Sequence, residues 1–143
     1  MEFLRIAVED DELQVYQLIT DLENTTIDRF IFSNIYKANI NNPNIYYFVY
    51  EKYDKILGFV SVHIQKLLHH NGNIAEVQEL IVSEEARRCG IGSKLLKKAK
   101  EISIENNCTQ LEVCCNQRRI LSHKFYKAQG MINSHYKFCM KLK

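Results

Sequence analysis

Apolar positions change their spacing several times along the chain, and each change marks an element. Residues 4–8, Leu4-Arg5-Ile6-Ala7-Val8, alternate and predict a short strand. Asp10 and Asp11 then supply a cap and negative charge for a helix whose apolar face is Leu13, Tyr16, Ile19 and Leu22. A second helical pattern carries Ile27, Phe30, Ile31, Ile35 and Ala38 behind a Thr26 cap, and Asn41-Asn42-Pro43-Asn44 ends it. Residues 45–53 and 56–66, rich in Ile, Val, Tyr and Phe, predict two strands. The short polar link Tyr53-Asp54-Lys55 between them predicts an antiparallel hairpin. His69-His70-Asn71-Gly72-Asn73 is a turn into a strand over residues 74–82. A long helix follows over residues 92–106, with Leu95, Leu96, Ala99 and Ile102 facing inward. Residues 110–115 predict a strand, 121–128 a short helix stopped by Gly130, and 132–140 one or two final strands.

This order predicts a mixed α/β (α+β) sheet in a single domain spanning residues 1–143, without repeats, low-complexity tracts or linkers. The length suits one core and is too short for two ordinary ones. With 46% apolar and 25% charged residues the composition is that of an ordinary soluble protein. A net charge of +2 and a pI near 8.2 are too mild for a nucleic-acid binder, although a basic cleft for an anionic ligand fits both. Met1-Glu2-Phe3-Leu4-Arg5 lacks the long apolar run of a secretion signal or membrane anchor, so a cytoplasmic location and no membrane partner are expected. Five cysteines, an odd number without a Cys-x-x-Cys pair, suggest reduced thiols and no zinc site. The adjacent His69 and His70 have no carboxylate partner in the sequence, and no metal is expected.

The chemistry concentrates in residues 76–96. A strand containing Glu76, Gln78 and Glu79 runs into a polar turn with Arg87 and Arg88, then Gly90-Ile91-Gly92-Ser93, then the long helix. The glycines allow a tight turn and close approach of a ligand to the backbone. The first amides of the helix have no helical acceptor and can point at an anion. A P-loop would need Gly-x-x-x-x-Gly-Lys-Ser/Thr, which is absent, and the dinucleotide fingerprint would need glycine where Leu95 stands. The alternative is a glycine-rich turn that only caps the helix.

Placed between strand and helix, Arg87-x-x-Gly90-x-Gly92 resembles the acetyl-coenzyme A signature of the GNAT superfamily of N-acetyltransferases, and the order of elements resembles that fold along nearly the whole chain. The resemblance implies a mostly antiparallel central sheet of six to seven strands flanked by about four helices, with acetyl-CoA as cosubstrate. It implies that the backbone of Leu80, Ile81 and Val82 pairs with the pantetheine arm. It also implies that Arg87, Arg88, Gly90, Ile91, Gly92 and Ser93 wrap the pyrophosphate. Tyr126 stands where the superfamily commonly has a tyrosine that protonates the departing thiolate, the alternative being an aromatic packed beside Phe125. Many members carry asparagine seven residues before that tyrosine; here Arg119 occupies the place and the asparagine is Asn116, which joins the cofactor-binding candidates.

Arg119, Ser122-His123 and Ser134-His135, with Ala75-Glu76-Val77-Gln78-Glu79-Leu80, are similar to the bacterial aminoalkylphosphonate N-acetyltransferases. That likeness implies a small primary amine bearing an anionic group, with Arg119, His123 and His135 as substrate-binding candidates; each histidine also suits a half-buried role with a backbone partner. Attack needs a neutral amine, so a base must remove a proton. Glu76 is preferred because the resemblance implies it: its spacing to the phosphate turn is similar to that of the glutamate that acts as base in some members of the superfamily. Glu79, directly before the segment that the resemblance pairs with pantetheine, is the alternative that could line the cleft, and a bulge in the strand would exchange the faces. The expected reaction is direct acetyl transfer to a small-molecule amine. The rivals are an aminoglycoside or polyamine acetyltransferase, a protein N-terminal acetyltransferase, and a non-catalytic acyl-CoA sensor. A homodimer is left open.

Overall fold

The computed structural model describes residues 1–23 and 26–143. The elements are β1 (Glu2–Ile6), α1 (Glu12–Glu23), α2 (Arg29–Ile40), β2 (Ile45–Lys52), β3 (Lys55–Leu67), β4 (Gly72–Val82), α3 (Ile91–Glu105), β5 (Cys108–Val113) and α4 (Ile120–Ala128). Short 3₁₀ turns at Glu9–Asp11, Leu68–His70 and Glu84–Ala86 join them. The chain forms two compact units, Met1–Glu112 and Val113–Lys143. Among the described residues no helix is long and apolar enough to cross a membrane.

The first unit is a sheet in the order β1-β2-β3-β4-β5, with the β1–β2, β2–β3 and β3–β4 pairs antiparallel. The β2–β3 hairpin turns on Tyr53 and Asp54, which have φ of 49° and 62°, and Lys52 faces Lys55. Two successive positive φ values match the right-handed twist of the strands they join. Alternation along β2 and β3 gives the sheet two covered faces. Tyr47, Val49, Phe59 and Ile81 join Val15, Leu18 and Tyr36 of α1 and α2 in a buried cluster. The opposite face receives α3, whose buried apolar positions are Ile91, Leu95, Leu96, Ala99 and Ile102. A Cβ on Gly58 would lie 2.9 Å from Leu95 Cδ1 and 3.0 Å from Ile91 Cγ2, so only glycine lets α3 settle this close to β3.

Two expectations need correction. The sheet has five strands rather than six to seven, because residues 131–143 carry no regular secondary structure. Their alternation is real, yet Ile132 and Phe138 are 86% and 93% exposed; a strand exists only through hydrogen bonds to a neighbour, which a pattern cannot supply. The cap of α2 is Asp28, not Thr26: the Asp28 carboxylate accepts the Ile31 amide at 2.9 Å, and a carboxylate is the better group at a helix N-terminus. Asp11 caps this first helical run as expected, one turn ahead of α1, because the 3₁₀ turn Glu9–Asp11 leads directly into Glu12 with Val8 as its N-cap. It accepts the Val8 amide at 2.8 Å and takes both guanidinium nitrogens of Arg5 at 2.8 and 2.9 Å.

In the second unit, Asn116 shapes the turn before α4. Its Oδ1 accepts the Arg118 amide at 2.9 Å and its carbonyl accepts the Arg119 amide at 3.0 Å. Gly130, at φ 89°, follows α4, and the Met131 amide donates back to Tyr126 O at 3.1 Å. This is the left-handed helix stop expected from the sequence.

Candidate active site

β4 leaves the sheet at Val82, and the Ser83 amide still bonds Leu57 O at 2.8 Å. The chain then makes the 3₁₀ turn Glu84–Ala86, anchored by buried Ala86, and passes exposed Arg87, Arg88 and Cys89 into α3. Two departures from ordinary backbone, either side of Cys89, make the bend: Arg88 has φ 69° and Gly90 φ 78°. Gly90 is the N-cap residue, so α3 starts without a side-chain cap, and its first internal bond is Lys94 N to Gly90 O at 3.2 Å. The Ile91 and Gly92 amides therefore precede the helical ladder, at the positive end of a fifteen-residue helix. A Cβ on Gly90 would meet nothing within 4 Å; the glycine serves the backbone angle and leaves open space over the turn.

Beside this turn lies a cavity of about 650 Å³ lined by Leu18, Asp21, Ile81, Val82, Ser83 and Arg87 among others. The Ser83 hydroxyl in its wall is buried and has no hydrogen-bond partner. An orphaned buried hydroxyl is uncommon and leaves a polar position in the cavity wall open to a further partner. Open space at Gly90, uncapped amides, arginine at the rim and an unsatisfied hydroxyl beside the Ile81–Val82 backbone fit an elongated anionic ligand such as a coenzyme A ester. Ile81, Val82 and Arg87 share this one cavity; Arg88, Gly90, Ile91, Gly92 and Ser93 continue the turn, and Leu80 lies one residue back on the strand.

The carboxylates stand on β4 upstream. The β3–β4 register steps from Val62 opposite Val77 to Ser61 opposite Glu79, so Gln78 is an extra residue in β4. The bulge exchanges the faces: Glu76, opposite His63, and Glu79, opposite Ser61, both point to the side of α1 and α2. A regular pleat would have separated them. Glu79 is held by Ser61, whose hydroxyl donates to its carboxylate and accepts its amide at 2.9 Å. Gln78 Nε2 donates to Glu76 at 2.7 Å. Nearby, Asn39 of α2 donates to the Tyr47 hydroxyl at 2.6 Å. Burial raises the Tyr47 phenol; the Asn39 bond lowers it, and the Glu79 charge raises it again.

Tyr126 belongs to the second unit, on α4, with its ring edge-on to Phe125 at 5.2 Å between centroids. Burial pushes its phenol up to about 12, Cys115 adds to the rise and Arg119 opposes it. A phenol so shifted keeps its proton throughout the physiological range. His123 donates from Nε2 to Asn116 O at 2.8 Å, and exposed His135 has Nδ1 2.7 Å from Ser134 Oγ. His123 thus has the backbone partner considered from the sequence. The His69 and His70 rings lie 4.3 Å apart, and among the described residues no group of three or more His, Cys, Asp or Glu could hold a metal. Sequence reasoning missed Ser61, Ser83, Tyr47, Asn39 and Gly58. A signal existed for two of them: a lone serine in Phe59-Val60-Ser61-Val62, and an isolated glycine within a strand.

Comparison with known proteins bears on what binds here. The Acetyltransferase (GNAT) family matches residues 9–131. An aminoalkylphosphonate N-acetyltransferase of Salmonella typhimurium (strain LT2) is 35% identical over 135 residues, which cover 94% of this chain and 88% of that protein. Among solved structures, a transcriptional regulator from Bacillus halodurans C-125 superposes with a TM-score of 0.92 at 22% identity, covering 99% of this chain and 100% of that one. An aminoglycoside acetyltransferase from an uncultured soil metagenomic sample does so at 0.84 and 20% identity, covering 99% and 97%. At those identities the two structures speak for the fold alone. Members of the matched family use acetyl-CoA as cosubstrate. The family match over most of its length and the 35% identical relative place the chain in the Acetyltransferase (GNAT) family, and it is an N-acetyltransferase.

Proposed function

We propose that this chain, as one domain over residues 1–143, moves the acetyl group of acetyl-CoA directly to the primary amine of an aminoalkylphosphonate, without an acyl-enzyme. The observation that carries the acceptor class is the 35% identity to the Salmonella aminoalkylphosphonate N-acetyltransferase across 94% of the chain. The Ser83 cavity and the uncapped start of α3 support the donor.

In this reading the Leu80, Ile81 and Val82 backbone aligns the pantetheine arm. Arg87, Arg88, Gly90, Ile91, Gly92 and Ser93 hold the pyrophosphate through amides and charge, and Asn116 supports the cofactor side. A carboxylate on β4, Glu76 or Glu79, takes one proton from the acceptor ammonium. The freed amine attacks the thioester carbonyl carbon; the carbon–nitrogen bond forms, the carbon–sulfur bond breaks, and the nitrogen releases its second proton to solvent. The Tyr126 phenol gives its proton to the departing sulfur and regains one from solvent. Arg119, His123 and His135 receive the phosphonate as hydrogen-bond donors and charge. All five cysteines are free, which supports a reducing compartment, and we infer the cytoplasm.

The test is thiol release from acetyl-CoA with aminomethylphosphonate and aminoethylphosphonate, set beside polyamines, aminoglycosides and short peptides. The aminoalkylphosphonates are expected to give the highest kcat/KM. Faster turnover with a polyamine, aminoglycoside or peptide would move the acceptor class, and no turnover with any amine would favour the sensor.

A further inference from the structure

β3 crosses the middle of the sheet as Phe59-Val60-Ser61-Val62, and Ser61 is 0% exposed in this apolar run. A buried hydroxyl is most stable when both its donor and its acceptor are satisfied. Ser61 satisfies both on one residue: it donates to the Glu79 carboxylate and accepts the Glu79 amide at 2.9 Å. These bonds close where β4 carries its extra residue, Gln78. Without the bulge, Glu79 would share the face of Val77, opposite Val62; with it, Glu79 faces the side of α1 and α2. Ser61 therefore grips both the backbone and the side chain of the residue at which the strand changes face. The surroundings are built from four elements, because Tyr47 of β2 stands opposite Ser61 and is itself tied to Asn39 of α2 at 2.6 Å. Glu79 lies within electrostatic reach of the Tyr47 phenol.

We propose that Ser61 is a positioning residue for acetyl transfer, holding the Glu79 carboxylate at the β4 bulge as the group that takes the proton from the acceptor amine. The inference rests on the N-acetyltransferase reading above and selects one of its two candidate bases. The step is a single proton transfer: the ammonium N–H bond breaks, its electron pair stays on nitrogen for attack, and the carboxyl later returns the proton to solvent. A base must meet that proton in a fixed geometry, and a buried anchor provides one at no entropic cost during turnover.

The test is a double-mutant cycle read by thiol release with aminoethylphosphonate, alongside the KM for acetyl-CoA. Glu79→Gln is expected to lower kcat about a hundredfold, and Ser61→Ala about tenfold. In both, the KM for acetyl-CoA should stay within about twofold, because the lost group serves the proton and not the donor. The double variant should be no slower than Glu79→Gln alone, since Ser61 then has no base to hold. Should Ser61→Ala fail to fold, Ser61→Cys fills a similar space with a weaker donor and is expected to lose at least about threefold in kcat. Wild-type kcat in a folded Ser61 variant while Glu79→Gln is impaired, or losses that multiply in the double variant, would overturn the role of Ser61. Wild-type kcat in Glu79→Gln would overturn Glu79 as the base. No thiol release by the unaltered protein with any amine would overturn the underlying reading instead.

Discussion

Tyr126 is the residue whose chemistry is easiest to isolate. With its phenol raised to about 12 by burial, it is protonated at every pH at which the protein is handled, which is the form a proton donor needs. Tyr126→Phe should lower kcat at least about tenfold and leave the calorimetric affinity for acetyl-CoA within about twofold, since the ring stays. Equal kcat in the two proteins would remove Tyr126 from the chemistry. The same shift predicts that any basic fall in kcat between pH 8 and 10 belongs to another group and persists in Tyr126→Phe; loss of that limb in the variant would refute it. A second titration concerns Asp11. Burial pushes its carboxyl up, but the Arg5 guanidinium and the Val8 amide outweigh burial and hold it below the ordinary carboxylate range. A depressed folded value stabilises the protein at neutral pH, and the contribution is lost as pH falls through that folded value. Asp11→Asn should therefore lower stability at pH 7 by about 2 kcal/mol and narrow the difference from wild type below pH 4. Urea unfolding at both pH values reads this out; an undiminished difference in acid would contradict it.

Among elements, α3 carries the most consequence, because the proposed anion turn lies at its start. Its seat depends on Gly58, whose missing Cβ leaves room for Leu95 and Ile91. Gly58→Val should cost about 2 kcal/mol of stability by overpacking and weaken acetyl-CoA binding by displacing the helix. Full stability in this variant would refute the close approach. Gly92→Val, in the turn itself, should abolish acetyl-CoA binding by calorimetry with the fold retained, and retained binding would refute the phosphate-turn assignment.

Elements with a strong local cause were legible in the sequence. The Gly-x-Gly turn, the amphipathic α3, the Tyr53-Asp54 hairpin and the Gly130 stop all follow from local residues. What was not legible depends on pairing. The β4 bulge arises from how Glu79 meets Ser61 across two strands, and no alternation within β4 alone announces it. The choice of Asp28 over Thr26 as cap depends on where the first turn of α2 begins. Residues 131–143 alternate as a strand should, yet no local pattern supplies the neighbour that would make them one.

For the molecule as a whole, family, fold and donor chemistry follow from a short stretch of sequence set on a sheet with two covered faces. The acceptor is a finer matter, because it depends on a few polar side chains. The proposed reaction has three parts: coenzyme A is held at the start of α3, its acetyl group passes directly to nitrogen, and that nitrogen belongs to an aminoalkylphosphonate. One measurement tests all three. The protein is mixed with acetyl-CoA and aminoethylphosphonate in near-stoichiometric amounts, and the free thiol, the small-molecule products and the intact protein are followed together by mass spectrometry. The account predicts N-acetylated aminoethylphosphonate and free thiol appearing one to one, with no acetylated protein on the path. Thiol released without that product, or acetyl accumulating on the protein before the product forms, would contradict it.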